Sequence, residues 1–237
     1  MEQWSILIDI EGFGKLYEME NQVLLALGSL MEGIFLIGKN CYGESPDRIF
    51  AHQLGDGFVI VSEFGNESLE VPVAIAIALL RHTAATGRFA KATIAEGGFA
   101  DIVGCYPKRI RALVGGDNTV SMGHTFMTLL PVMGTALIRA VQIAKRSPKG
   151  SLLLLHESLS ARVPGNARLV GTPNPEIISV DWVHTDLELV KKIQSKAELQ
   201  SPEEAKIEAL VHSYYKSADV PVEWYESTVG LLSLKRP

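Results

Sequence analysis

This 237-residue sequence predicts an α+β fold, a mainly antiparallel sheet with helices packed on one face. Three observations carry that expectation. The element order reads strand, helix, strand, strand, helix, strand, helix, strand. A two-residue Gly-Asp turn separates the second and third strands, which is hairpin spacing. The composition, 47% hydrophobic and 21% charged, supports a sizeable core and argues against disorder.

Taken in order, Ser5 to Ile10 reads as a buried strand of β-prone residues, stopped by Gly12. Leu16 to Gly38 is helix-like, although Gly28 and Gly33 weaken it. Arg48 to Leu54 and Gly57 to Glu63 form the predicted hairpin around Gly55-Asp56. Val71 to Thr86 is a second apolar helix, with Pro72 tolerated in its first turn. Lys91 to Ala95 is a strand followed by Gly97-Gly98, and Pro131 to Lys145 is a third helix. Pro148-Lys149-Gly150 turns the chain into a strand from Ser151 to His156. Beyond Val163 the composition changes, with Pro164, Pro173 and Pro175 close together. Residues 1–163 are therefore expected to form one domain and 164–237 a partly helical extension. Ser201-Pro202-Glu203-Glu204 starts a helix that runs to about Lys216.

Several classes lose support at this point. A formal charge of -5 gives no electrostatic footing for duplex nucleic acid or an anionic membrane as partner. Cys41 and Cys105 form no CxxC pair, so neither a disulfide framework nor a thiolate zinc site is expected, and a reducing cytoplasm fits. The start Met1-Glu2-Gln3-Trp4 lacks the basic and apolar runs of a signal peptide. Val23 to Gly38 is shorter than the ~20 residues of a membrane span and is interrupted by Glu32, so it is expected to be a buried helix. His124, His156, His184 and His212 show no metal-ligand spacing, and no Walker or Gly-x-Ser-x-Gly motif occurs.

Chemistry concentrates at two aspartates. Asp9 ends a hydrophobic strand and is followed at once by the turn Glu11-Gly12-Phe13-Gly14. Asp56 sits at the tip of the hairpin. Carboxylates from neighbouring strands can hold Mg²⁺ or Mn²⁺ together with phosphate oxygens. Turn chemistry alone accounts for either aspartate singly. Their joint occurrence, with these flanks, points to a metal site that grips a nucleoside triphosphate.

Asp9-Ile10-Glu11-Gly12-Phe13-Gly14-Lys15-Leu16-Tyr17-Glu18 resembles the first-strand motif of the class III nucleotidyl cyclases. Leu54-Gly55-Asp56-Gly57-Phe58 resembles the hairpin that supplies that family's second aspartate. Ala92 to Gly98 is similar to its next strand and small-residue turn, and Pro148-Lys149-Gly150 before Leu152 to His156 is similar to its Pro-Gly lead into a strand. The resemblance spans roughly Trp4 to Ser160. It implies a ferredoxin-like palm in residues 1–163, working as a head-to-tail homodimer whose sites are shared between subunits, with 164–237 packed on it or bracing the dimer. It also implies that Asp9, the backbone carbonyl of Ile10 and Asp56 coordinate the metals, and that Phe13 and Gly14 offer backbone amides to the phosphates.

Three positions depart from the family pattern. His52 stands where purine-specific members carry lysine or glutamate, four residues before the second aspartate. Phe50 shares its strand face and can flank a base. On the late helix the family's asparagine and arginine, four apart, are matched by Thr135 and Arg139. The alternative register, Ile138 and Gln142, would lack a cation for the transition state. Gly14 replaces a hydroxyl residue. The unusual base-side residues and compact size resemble the stand-alone bacterial anti-phage pyrimidine cyclases of the Pycsar type. The expected activity is closure of UTP or CTP to a 3′,5′-cyclic nucleotide with release of pyrophosphate. A catalytically degenerate nucleotide-binding or dimerisation domain, an adenylate cyclase, and a diguanylate-cyclase-like enzyme are the alternatives. Lys108-Arg109-Ile110-Arg111 and Gly115-Gly116-Asp117-Asn118 read as loops, the latter without a flanking strand.

Overall fold

The computed structural model describes residues 2–12, 16–101, 105–116, 118–129, 132–218 and 220–234. The elements are β1 (Gln3–Ile10), α1 (Leu16–Tyr42), β2 (Ile49–Leu54), β3 (Gly57–Ser62), α2 (Glu70–Ala84) and β4 (Ala90–Gly97). Then come β5 (Ala100–Asp101), α3 (Lys108–Arg111), β6 (Thr119–Met122), β7 (Thr125–Thr128), β8 (Val132–Met133) and α4 (Thr135–Arg146). The chain ends with β9 (Leu153–His156), β10 (Leu169–Gly171), β11 (Ile177–Val180), α5 (Glu188–Lys196), α6 (Glu204–Ser217) and α7 (Val222–Leu231).

Seven strands form the main sheet in the order β10-β11-β9-β4-β1-β3-β2. Every pairing in it is antiparallel except β4 with β9. The α+β fold with a mainly antiparallel sheet is therefore the observed one. β1 is its axis, and the period-2 rule divides its side chains cleanly. Trp4, Ile6, Ile8 and Ile10 are buried beneath α1 and α2, each large side chain worth about 1.5–3 kcal/mol on burial. Leu7 and Asp9 point to the opposite face.

That second face is not bare. The helices were expected on one face only, but α4 lies across the other. Its buried Ala136, Ala140 and Ile143 follow a helical stripe, and Ala140 and Ile143 join Ala95, Leu152, Leu154 and Ile177 in one cluster. The predicted helix from Pro131 starts later, at Thr135. Val132–Met133 pairs instead with Ala100–Asp101, and Gly134 passes so near Gly98 that an added Cβ would lie 2.2 Å from its carbonyl oxygen.

Other expectations are corrected in detail. α1 runs on to Tyr42, and it is not a wholly buried helix: Ala26, Leu30 and Ile37 are inside while Leu24, Leu25, Met31 and Phe35 face outward. Among the described residues, Leu24–Tyr42 is the one stretch long and apolar enough, by length and composition, to cross a membrane. Gly33 lets α1 close on α2, since a Cβ there would sit 3.0 Å from His82 and Leu79. The stretch ending at Asn118 does have a flanking strand, because β6 begins at Thr119 and forms a hairpin with β7. Lys108–Arg111 is a single helical turn, exposed as a loop would be.

Residues 164–237 merge with the rest. β10 and β11 lengthen the main sheet past β9, and Trp182, Val190, Ile207, Val211 and Trp224 join the core that contains β1 and α2. Arg81 of α2 donates to the carbonyls of Trp182, Val183 and Thr185, which satisfies three acceptors of that crossing.

Candidate active site

Strand register brings the two aspartates together. Asp9 lies opposite Gly57 on β3 and opposite Lys91 on β4. Asp56 occupies the β2–β3 turn, where Gly55 takes φ +65°, and its carbonyl accepts from Ile10 N at 3.4 Å. Gly57 makes room: a Cβ there would fall 2.5 Å from the Ile8 carbonyl and 2.8 Å from Asp9 Oδ1. Sequence placed this glycine at the start of a strand; the close approach shows why a side chain does not fit there.

The Asp9 carboxyl is pushed up from 3.8 to about 7. Burial is the largest cause, followed by the charge of Asp56, a hydrogen bond with it, and the charge of Glu11; Lys91 opposes them. Asp9 nevertheless keeps an exposed edge toward the cleft. Solvent at that edge softens the burial contribution, whereas the adjacent carboxylate follows from position alone. Burial also raises the Glu11 carboxyl and lowers the Lys91 ammonium, and each of those two groups counters the other's shift.

These groups line a cleft of about 420 Å³ with Leu54, Thr93 and Lys145, beneath Val141 and Ala144 of α4. Lys91 Nζ donates to the Pro148 carbonyl at 2.7 Å and reaches that of Ala144 at 3.5 Å. Glu11 Oε2 accepts from Trp224 Nε1 at 3.0 Å. Among the described residues, no group of three or more His, Cys, Asp or Glu is arranged to hold a metal ion. Two hard carboxylates on adjacent strands fit a cation that takes the rest of its shell from backbone oxygen, water and phosphate, which is how Mg²⁺ is usually bound.

The remaining candidates fall elsewhere. Phe13 and Gly14 lie outside the described residues. Ile10 follows Asp9 at the strand end with its side chain buried. Phe50 and His52 face the same side of the sheet as Leu7 and Asp9, as their registers with Val61 and Val59 require. The His52 ring stacks on Phe99 at 6.0 Å, and the Arg48 guanidinium lies 6.0 Å over Phe50. Thr135 Oγ1 accepts from Gly98 N at 2.9 Å. Arg139 donates to the Glu96 carbonyl at 2.7 Å and to Glu2 Oε2 at 3.1 Å. Glu96 and Gly97 pair with Trp4 and Gln3, five and six positions before Asp9 on β1. At about 3.4 Å per residue, that is roughly 20 Å of strand. One chain thus does not bring Thr135 and Arg139 to Asp9 and Asp56. Arg139 lines a second cleft of about 470 Å³ with Gln142, Arg146 and His156.

Sequence reading missed Lys91, Glu11, Tyr214 and Trp224. A lysine inside an otherwise small-residue strand was the available signal for Lys91. Glu11 stood inside the turn after Asp9 without being given a role, and no local pattern marks Tyr214 or Trp224.

No family model matches the chain, and no curated protein matches it. Among solved structures it is similar to a bacterial light-regulated adenylyl cyclase, with TM-score 0.44 and 11% identity over 83% of this chain and 57% of that one. It is also similar to the dimeric guanylyl cyclase domain of the RhoGC fusion protein from the aquatic fungus Blastocladiella emersonii, with TM-score 0.44 and 10% identity over 76% of this chain and 96% of that one. A second light-regulated bacterial adenylyl cyclase structure gives TM-score 0.41 and 12% identity over 83% and 57%. The chain spans little more than half of the light-regulated enzymes' length.

Proposed function

We propose that this protein is a metal-dependent nucleotidyl cyclase that converts UTP or CTP to a 3′,5′-cyclic nucleotide and pyrophosphate. The observation that carries the reading is the Asp9–Asp56 pair, two crowded carboxylates facing Lys91 across one cleft. A pair that cannot comfortably hold both negative charges favours a divalent cation. Asp9, Asp56 and the Ile10 carbonyl would hold Mg²⁺ or Mn²⁺, which when bound supplies charge neutralisation and a more acidic 3′ hydroxyl.

The chain's own groups have separate tasks. Lys91, fixed by the carbonyls of Ala144 and Pro148, presents an ammonium to the triphosphate beside the aspartates. Phe13 and Gly14 are assigned backbone amides to the phosphates. The 3′ oxygen forms a bond to the α-phosphorus, the α–β bridging bond breaks, and pyrophosphate leaves while the hydroxyl proton passes to solvent. Arg139 offsets charge at the α-phosphate and Thr135 orients the ribose, both from the second copy of a head-to-tail homodimer. His52 and Phe50 lie on the same sheet face and are assigned to the base. A short imidazole suits a pyrimidine carbonyl better than the lysine-sized donor a purine needs. The resemblance to stand-alone anti-phage pyrimidine cyclases extends the proposal to a cytoplasmic second-messenger role in defence.

A second reading draws on one observation. Arg139 is already engaged by Glu2 and by the Glu96 carbonyl, as a structural arginine would be. A domain that binds nucleotide without turning it over accounts for that as well. Incubation with all four ribonucleoside triphosphates and Mn²⁺, followed by mass-resolved product analysis, decides between them. Cyclic UMP or cyclic CMP with pyrophosphate is the expected result. Bound but unchanged triphosphate selects the second reading, and a linear or cyclic dinucleotide rejects both.

A further inference from the structure

α7 touches the proposed metal site from both sides. On one side, Trp224 Nε1 donates to Glu11 Oε2 at 3.0 Å. One helical turn later, Thr228 Oγ1 accepts from Ser151 N at 3.1 Å, and Ser151 follows the Pro148–Gly150 turn. That turn supplies the Pro148 carbonyl that fixes Lys91. Gly150 has φ +139°, and a Cβ there would lie 2.9 Å from Thr228 Oγ1, so turn and helix interlock.

α6 adds a third hold. Tyr214 donates its hydroxyl to the Glu11 carbonyl at 3.3 Å. The same hydroxyl lies 2.9 Å from where a Cβ would stand on Gly12, which has φ +84°. Glu11 N donates to the Phe89 carbonyl at 2.8 Å, so the peptide groups and the carboxylate of Glu11 are all committed. Phe89, Tyr214 and Trp224 pack edge-on or tilted with centroids 5.1–5.8 Å apart. Tyr214 and Trp224 are 3% and 2% exposed, so rigid buried rings, not surface contacts, hold the turn.

We infer that Trp224, Tyr214 and Thr228 are positioning residues of the metal and triphosphate site. They fix the Glu11–Gly12 turn that follows Asp9 and the Pro148–Ser151 turn that fixes Lys91. Trp224 also fixes the Glu11 carboxylate in the cleft that Asp9 and Asp56 share. The C-terminal segment is thereby part of the working site. This rests on the metal-site reading above.

The test measures Mn²⁺ binding to the full chain by electron paramagnetic resonance, beside turnover and thermal unfolding. Trp224→Phe keeps a ring and loses the N–H. It should keep the circular dichroism spectrum and a cooperative melt, yet weaken Mn²⁺ binding by about 10-fold, the low end of the loss that follows when the hydrogen bonds around a metal site are disturbed. Glu11→Ala should behave alike, and the double variant should be no weaker than the worse single. Tyr214→Phe, which removes one oxygen, should shift binding in the same direction and serves if Trp224→Phe fails to fold. Wild-type Mn²⁺ affinity in both aromatic variants, with only a lower melting temperature, overturns the inference, as do losses that multiply in the double variant. Wild-type protein that binds no Mn²⁺ defeats the metal-site reading and the inference with it. Wild-type protein that binds Mn²⁺ but forms no cyclic nucleotide defeats only the cyclase reading.

Discussion

The sheet face beneath α4 has two ends, and their charges are handled in opposite ways. At the Asp9 end three carboxylates, Asp9, Glu11 and Asp56, gather around Lys91 and Lys145 in one cleft. Burial first, then the charges of Asp56 and Glu11, raises the Asp9 carboxyl to about 7. At the other end the cations that line the second cleft already have anions: Arg139 meets Glu2 and Arg146 meets Glu176. One end is short of positive charge; the other is internally neutralised. A fold maximising its own stability would have little reason to leave the first end so crowded. The difference favours the first end as the place for the proposed cation. It also shows that the Arg139 end must exchange existing partners before it can meet a phosphate.

The largest effects should come from the crowded end. Asp9→Ala and Asp56→Ala should each lower turnover by at least the roughly 100- to 1,000-fold that loss of one electrostatic contact in a transition state costs. Both should fold, which circular dichroism checks. Full activity in either variant removes the metal site.

Next comes Arg139→Ala, with a loss of about 100- to 1,000-fold if the guanidinium acts across a dimer. Mixing inactive Asp9→Ala with inactive Arg139→Ala should then recover about a quarter of wild-type activity under random exchange in a two-fold dimer. A mixture that stays inactive despite demonstrated exchange means that the two ends do not meet across subunits.

A third measurement follows stability against pH in the metal-free protein. Asp9 ionises less readily folded than unfolded, so its contribution is fully present below the model-peptide value of 3.8 and is lost as pH rises through about 7. Glu11, also raised, acts with the same sign. The melting temperature should therefore fall between about pH 4 and 7, and Asp9→Asn should flatten that fall. Added Mn²⁺ should restore stability most at the upper end, because metal and proton compete for one carboxylate. A melting temperature that rises steadily across this window, with Asp9→Asn unchanged, contradicts the crowding.

The smallest effect concerns the base. His52→Lys should erode the pyrimidine preference by about 10-fold in kcat/KM ratio while leaving Mn²⁺ affinity alone. A wild-type protein that cyclises ATP best in a four-nucleotide competition overturns the base assignment but not the metal site.

Local pattern was enough for much of this molecule. The alternation of Trp4, Ile6, Ile8 and Ile10 is a β signature in any context, and Gly55-Asp56 between two β-prone runs makes a hairpin without outside help. Asp9 ends an apolar strand and Asp56 sits at the hairpin tip, and it is their occurrence together that points to a shared site. The start of α4 was misplaced because tertiary pairing of Val132–Met133 with Ala100–Asp101 overrode a helix-like run. The second helical face was missed because a strand pattern shows which residues alternate, not what covers each side.

The sequence by itself determined the α+β class, the hairpin and the two acidic positions, since each rests on interactions within a few neighbouring residues. Only the tertiary structure decided that Lys91 stands opposite Asp9, because register is set by the whole sheet. It alone placed Arg139 at the far end, through contacts with Glu2 and Glu96. It alone brought Trp224 to Glu11 across 213 positions, a bond no local propensity encodes. Such long-range contacts form only once the burial of Trp182, Trp224 and the strands of β1 and β4 has offset the chain entropy of closing the loop between them.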